Sequence, residues 1–412
     1  MTVATVNVSR ASIRAVHIEY FLIALLGVTW TPRIPMIKDA LELSNGQLGR
    51  MLMFGGLSGV FFSKPAGHLV KKYTSKRVLL WFVPLNVASA VLIGCGTNQS
   101  MFIGGLIVGG FGFLLIYTSL TMQASTITHF TGSNALNRLT AIATIGSLGA
   151  VAVGSATLTM FTTPEYVVGM SVLAIGGFIA CNPFLIREDF HEPETPGQAG
   201  MKLPWFAKQV IPLYILIFAM SASGFAEFSA NDWASIYARD DLLIRAPYYS
   251  LPFVAFQCAI VVIRFSSSKL SERYGNANII RALAVSAAVS WTVGMVVAAR
   301  IAGNSPWSAL AVATVSFAIA GLGIGAIYPS LMSAVELPGI AKPLVLARMF
   351  SISTAFFIFG PGFMGTLAQF IGLQNAMFLA PALLVVSGIL SYRVLRPREI
   401  GLLQVEEATS ER

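Results

Sequence analysis

Apolar positions in this chain neither alternate nor recur on one face; they run on. Stretches such as YFLIALLGV, VASAVLIGC and AAVSWTVGMVVAA belong to windows long enough to cross about 30 Å of hydrocarbon, which takes about 20 residues of helix. Twelve such windows are predicted: 14–36, 45–69, 78–96, 101–126, 138–161, 165–186, 209–238, 247–267, 278–301, 307–334, 345–372 and 374–394. One connection is long, polar and proline-bearing, REDFHEPETPGQAGMKLPWFAK at 187–208, and it separates six windows from six. The expectation is an all-α membrane protein of twelve transmembrane helices in two pseudo-symmetric six-helix bundles. The first bundle covers 1–186, a cytoplasmic loop covers 187–208, the second bundle covers 209–395 and a cytoplasmic tail covers 396–412.

Composition agrees with that pattern: of 412 residues 55% are apolar and only 11% charged, where a soluble domain carries about a quarter charged. The formal charge of +9 raises the question of nucleic acid, and the distribution of the basic residues answers it. With the N-terminus inside, Arg33, Lys38, Arg50, Arg239, Arg245 and Arg300 fall on outer segments, and the other 21 Lys and Arg fall on tails and inner connections. This is the positive-inside bias of an inserted protein, so the basicity reports topology rather than a nucleic-acid partner. Both termini are expected in the cytoplasm, with the chain in the cytoplasmic (inner) membrane. The first window is too long for a signal-peptide core. Cys95, Cys181 and Cys258 share no spacing that suggests a disulfide or metal site, and His17, His68, His129 and His191 are scattered. His17 and Glu19, near the inner end of the first helix, are expected at the interface. No cofactor is indicated.

An internal repeat organises the rest. GFGFLLIYTSL (110–120) matches GLGIGAIYPSL (321–331) at an offset of 211, and RLTAIAT (138–144) matches RMFSIST (348–354) at 210. SKPAGHLVKKYTSKRVLL aligns with RFSSSKLSERYGNANIIR at 201. Three matches in chain order, six helices apart, point to a duplicated transporter architecture whose halves are related by an axis along the membrane normal.

At these residues the chain resembles the major facilitator superfamily. The family's turn motif G-x-L-x-D-R-x-G-R-R appears as GHLVKKYTSKR, with Gly67, Lys71, Lys72 and Arg77, where Lys71 replaces the acid and Thr74 the second glycine. A second copy, SKLSERYGN, keeps Glu272, Arg273 and Gly275. The resemblance implies a cytoplasmic gate at these residues, with Arg138 and Arg348 at neighbouring helix ends binding loop carbonyls or lipid phosphate, or else gating. WTPRIP at 30–35 and GFAEFSANDW at 224–233 resemble a little-characterised bacterial branch with W-x-x-R-I-P in helix 1 and E-x4-D-W in helix 7. That branch resembles fucose-type sugar permeases. The G-P-x-x-G element of drug antiporters is missing from the fifth window; GPGFMG lies in the eleventh.

A carboxylate at mid-helix costs several kcal/mol to insert and faces a partner or water. At 100° per residue, Asn231 lies about 40° from Glu227 and Asp232 about 140° away, so the two acids face differently. Glu227 reads as a group that hydrogen-bonds solute or takes up a proton, or as a carboxylate permanently paired with a base. Asp232 and Trp233, with Arg33, form a candidate outer gate, or merely an interfacial anchor. Trp30, Tyr117, Tyr328, Gln123 and Gln257 complete the candidate solute-binding set. The expected function is a permease moving a small polar, sugar-like solute by alternating access, with proton symport through Glu227 and no enzymatic site. The expected partners are the solute, a proton and the bilayer, and the expected state is a monomer. Efflux antiport and a non-transporting sensor or assembly factor are the rivals.

Overall fold

The computed structural model describes residues 8–131, 135–187, 205, 210–335 and 342–410. Most of the predicted loop, 188–204 and 206–208, thus lies outside the described residues. No strand occurs among those that are described. The chain divides into two compact units, Met1–Thr195 and Pro196–Arg412.

The first unit holds α1 (Arg10–Val28), α2 (Ile34–Ala40), α3 (Asn45–Phe61), α4 (Ser63–Lys72), α5 (Ser75–Cys95), α6 (Gln99–Thr131), α7 (Ala135–Ala156) and α8 (Thr163–Cys181). Pro32 and Pro35 interrupt the first membrane helix: a 3-10 turn at Thr31–Arg33 divides α1 from α2. α3 opens on a capping box, in which Ser44 accepts from the Gln47 N–H and the Gln47 side chain accepts from the Ser44 N–H. The core of this unit is aliphatic and aromatic, with Val16, Ile23, Leu79, Leu120, Val167 and Phe178 at its centre.

The second unit holds α9 (Ile211–Asp240), α10 (Leu251–Tyr274), α11 (Asn276–Ala302), α12 (Pro306–Ala334), α13 (Lys342–Ile371), α14 (Leu373–Met377) and α15 (Leu379–Ser410). Its largest buried side chains include Trp233, Trp291, Phe253, Phe256 and Phe317. The Phe317 ring lies 4.8 Å from Trp291 and 6.4 Å from Phe256.

Ten helices among the described residues are long and apolar enough to cross a membrane, two fewer than the twelve expected. The second window, 45–69, is not one helix. Pro65 has no N–H to give to the carbonyl four residues back, and the helix breaks at Phe62 into α3 and α4. The fifth is described as an apolar helix only over Ile142–Ala156.

The repeat is visible in how each unit packs. A Cβ on Gly110 of α6 would collide with the Gly55 carbonyl of α3; a Cβ on Gly321 of α12 would sit 2.5 Å from the Phe256 carbonyl of α10. Gly55 and Phe256 are 201 residues apart, as Gly110 and Gly321 are 211 apart. Likewise Gly112 abuts Asn86 of α5, and Gly323 abuts Ala287 of α11, again at offsets of 211 and 201. A hydroxyl completes each seam: Ser89 Oγ donates to the Gly105 carbonyl at 2.8 Å, and Ser290 Oγ donates to the Ser316 carbonyl at 3.0 Å. These are equivalent positions of the two halves, so the glycine repeat encodes the same close helix approach twice.

Candidate functional site

The functional candidates converge on α9 and α10. Gly224 lets α9 meet the Phe357 ring of α13 without a methyl between them, and one turn further along Glu227 turns toward α10. There Arg264 Nη2 donates to both Glu227 carboxylate oxygens, each at 2.9 Å. One turn nearer the end of α9, Gln257 Nε2 of α10 donates to Asn231 Oδ1 at 2.8 Å. Two polar rungs therefore bridge two antiparallel apolar helices. The ion pair is only half-buried, with side-chain exposures of 35% for Arg264 and 25% for Glu227. Charged side chains within a membrane span are not left in hydrocarbon, so the open side of this pair requires water or a polar solute.

Arg264 was the residue missing from the sequence reading. The signal was present: a lone arginine in AFQCAIVVIRF, seven residues after Gln257 and so on the same face of an α-helix. Of the two readings of Glu227, the structure supplies the base that the pairing reading asked for, and leaves it partly open. The offset of 201 puts Ser63 at the position equivalent to Arg264 and Gly56 at that of Gln257. The rungs belong to one half alone.

Asp232 is half-buried on a different face, and no hydrogen bond or ion pair joins it to any described residue. Trp233 corrects the interfacial expectation: it is fully buried, its indole N–H unpaired. Arg33 is fully buried too. Its Nη1 donates to the Phe161 carbonyl at 2.9 Å, its Nη2 to the Thr157 carbonyl at 3.1 Å, and its guanidinium lies 4.4 Å from the Tyr166 ring. It ties the first helix to the turn that follows α7, within the first unit. Trp30 is half-buried, its ring 6.3 Å from Phe102.

Gln123 has no free group for a solute. Its Nε2 donates to Ser75 Oγ at 2.6 Å and to the Ile186 carbonyl at 2.9 Å, and its Oε1 accepts from the Ile186 N–H at 3.0 Å. It is fully buried and locks α6 to the start of α5 and the chain after α8. Tyr117 is exposed, its ring 6.0 Å from Tyr20 and stacked at 5.8 Å on Phe113. Tyr328 is half-buried, 6.1 Å from Phe350. The matched tyrosines thus sit in unlike surroundings. Glu19 corrects a further expectation: it is fully buried, with neither oxygen hydrogen-bonded, where the sequence suggested an interfacial residue.

The turn motif lies on helices. Gly67, Lys71 and Lys72 belong to α4, and the turn itself is only Tyr73 and Thr74. Gly67 has open space where a Cβ would be. Lys72 and Arg77 are exposed; the side chain of Lys71 lies outside the described residues, as does that of Arg138 on α7. In the second copy Glu272 and Arg273 are exposed in the last turn of α10, and Gly275 ends the helix at φ 78°, a left-handed conformation that favours glycine. Thr74 holds φ −52°, so the first copy turns without needing glycine. Arg348 stacks 4.3 Å from the ring of Trp205, and the Trp205 carbonyl accepts from the Tyr214 hydroxyl at 2.8 Å.

An apolar cavity of about 420 Å³ opens between α9, α13 and α15, lined by Phe218, Phe225, Phe356, Phe359 and Phe363 among others. None of the rung residues borders it. No cluster of three or more His, Cys, Asp or Glu able to hold a metal occurs among the described residues.

The sequence profile of the Major Facilitator Superfamily matches residues 18–338. The chain belongs to the major facilitator superfamily. Its curated relatives include the membrane protein MosC of Rhizobium meliloti, 22% identical over 92% of this chain and 88% of that protein. An uncharacterized MFS-type transporter of Yersinia pestis is 24% identical over 91% of this chain and 94% of its own length. The uncharacterized transporter y4wD of Sinorhizobium fredii is 25% identical over 65% of this chain and 70% of its own. Among solved structures, the nucleoside transporter NupG superimposes with a TM-score of 0.70 at 13% identity, covering 94% of this chain and 99% of that one. A bacterial homolog of the human lysosomal transporter Spinster, inward-facing and occupied, gives 0.70 at 12% identity over 93% and 96%. This superfamily member is accordingly a multi-pass membrane protein and a secondary transporter, not an enzyme.

Proposed function

We propose that this transporter moves a small polar solute together with a proton by alternating access, with Glu227, Arg264, Asn231 and Gln257 forming the solute-binding and coupling site. The observation that carries the reading is the half-open Arg264–Glu227 pair, one turn from a second polar rung, on two helices apolar enough to cross a membrane. A pair serving packing alone would be enclosed; this one keeps an accessible side. Within the same reading, the chain crosses the cytoplasmic membrane twelve times as two six-helix bundles, 1–186 and 209–395, with both termini in the cytoplasm. The helix broken at Phe62 and the helix around Ile142–Ala156 supply the two crossings beyond the ten apolar ones. Tyr117, Tyr328 and Trp30 add aromatic surface along the route. The exposed charges Lys72, Arg77, Glu272 and Arg273, with Lys71, Arg138 and Arg348, work at the cytoplasmic gate. Arg33, Asp232 and Trp233 serve the outer gate, with Arg33 held by the Phe161 and Thr157 carbonyls of its own unit.

Thermal-shift screening of purified protein against sugars, nucleosides, amino acids and organic acids identifies the solute, because a ligand stabilises the state that it binds. Uptake of that solute into reconstituted vesicles under an imposed pH gradient then tests coupling. Wild type is expected to accumulate solute with the gradient and Glu227→Gln to lose that response. An equal response in both would remove Glu227 from proton coupling.

A further inference from the structure

Resting on that reading and deepening it, the geometry points to a carboxylate-bearing, hydroxylated solute, an open-chain hydroxy acid, with its carboxylate held by Arg264. The argument begins with donors left over. A guanidinium has five N–H bonds, and here a single nitrogen, Nη2, serves both oxygens of Glu227. Nη1 and Nε have no hydrogen-bond partner among the described residues, and neither is among the atoms sealed from the surface. A cation in this position has room for a second anion without giving up the first. Carboxylates fit such donors through charge-assisted hydrogen bonds, roughly twice as strong as neutral ones.

The second rung supplies the other half of the recognition. The Asn231–Gln257 bond uses one amide N–H donor and one amide oxygen. The partnerless remainder among the described residues is a donor side, Asn231 Nδ2 with the second N–H of Gln257 Nε2, and an acceptor, Gln257 Oε1. A hydroxyl group, itself donor and acceptor, matches both. Glu227 and Asn231 are four residues apart on α9, so the rungs are separated by about 6 Å at 1.5 Å per residue. A solute that satisfies both carries hydroxyls several carbons from its carboxylate. A neutral sugar would leave the Arg264 donors without an anion, and a simple fatty acid would leave the amides unmatched.

The test uses the full-length transporter purified in detergent and a panel of hydroxy acids of four to six carbons, including D-gluconate. Each is paired with its neutral carboxamide, and glucose 6-phosphate is included as a phosphate oxyanion. Hydroxy acids are expected to raise Tm, with apparent affinity at least tenfold above that of the matched amides. Arg264→Gln would leave Glu227 unpaired and could fail to fold, so the decisive variant is the neutral pair Glu227→Gln with Arg264→Gln, checked by its own melting transition. It is expected to lose the preference for acid over amide. No shift with any hydroxy acid, equal shifts with acids and amides, a preference retained in the double variant, or a stronger response to the phosphate ester would each overturn the assignment. Failure of the transport reading has a different signature: acids that bind selectively through Arg264 yet are neither accumulated nor exchanged by reconstituted vesicles.

Discussion

Replacing Gln123 with Met tests the claim that this glutamine is a lock rather than a solute ligand. Methionine fills a similar volume with an unbranched chain, so little cavity arises. What is lost is specific: the Ile186 N–H and carbonyl each lose their bond to the side chain, and Ser75 Oγ loses a donor at 2.6 Å. A buried polar group left without a partner costs about 1–3 kcal/mol. Two orphaned backbone groups therefore give about 2–6 kcal/mol. Removal of the buried Gln amide, with its own desolvation cost, offsets part of this and leaves about 2–3 kcal/mol. Unfolding by denaturant in mixed micelles measures the global loss. Hydrogen exchange at the Ile186 amide measures the local one, expected to accelerate about 30- to 150-fold, since 1.4 kcal/mol is a factor of ten. Solute affinity should be unchanged in the folded fraction. A stability change below about 0.5 kcal/mol, or a loss of affinity without a loss of stability, would refute the reasoning.

Gly110→Leu and Gly321→Leu should destabilise to a similar extent, each by about 1–3 kcal/mol, because each forces a side chain into the equivalent inter-helix seam of its own unit; unfolding of the two variants side by side checks this. Ser89→Ala and Ser290→Ala should each cost about 1 kcal/mol in the same assay, as single side-chain bonds to backbone carbonyls do. Arg33→Lys keeps the charge but loses the planar fork that reaches two carbonyls and covers Tyr166, so it should lower Tm, whereas Lys72→Arg at the exposed end of α4 should leave Tm unchanged.

Much of the fold could be read from the chain because the bilayer imposes length on apolar runs and the repeat checks each reading against a second copy. The matched glycines carried the most information, for each stands where a Cβ would meet a neighbouring helix. The break at Phe62 was less visible, since the apolar run continues through it and only Pro65 marks the lost hydrogen bond. Side chains were harder. Glu227 stands out as a mid-span acid; Arg264 does not, because the repeat places Ser63 opposite it and basic residues are ordinary near the end of an apolar window. Gln123 resembles a cavity residue in the sequence, which shows a polar group without showing that the Ile186 backbone and the Ser75 hydroxyl consume it. Glu19 and Trp233 lie near helix ends, where sequence alone points to the interface, yet both are completely buried.

The doubled seams bear on how the two halves could diverge. Glycines and one serine fix the spacing of α3, α5 and α6, and the same arrangement fixes α10, α11 and α12. The faces turned away from those seams are free of that constraint. One copy could acquire an arginine where the other kept Ser63, and an amide where the other kept Gly56, with no shift in either frame. Duplication supplied a scaffold able to hold still while one half alone acquired chemistry.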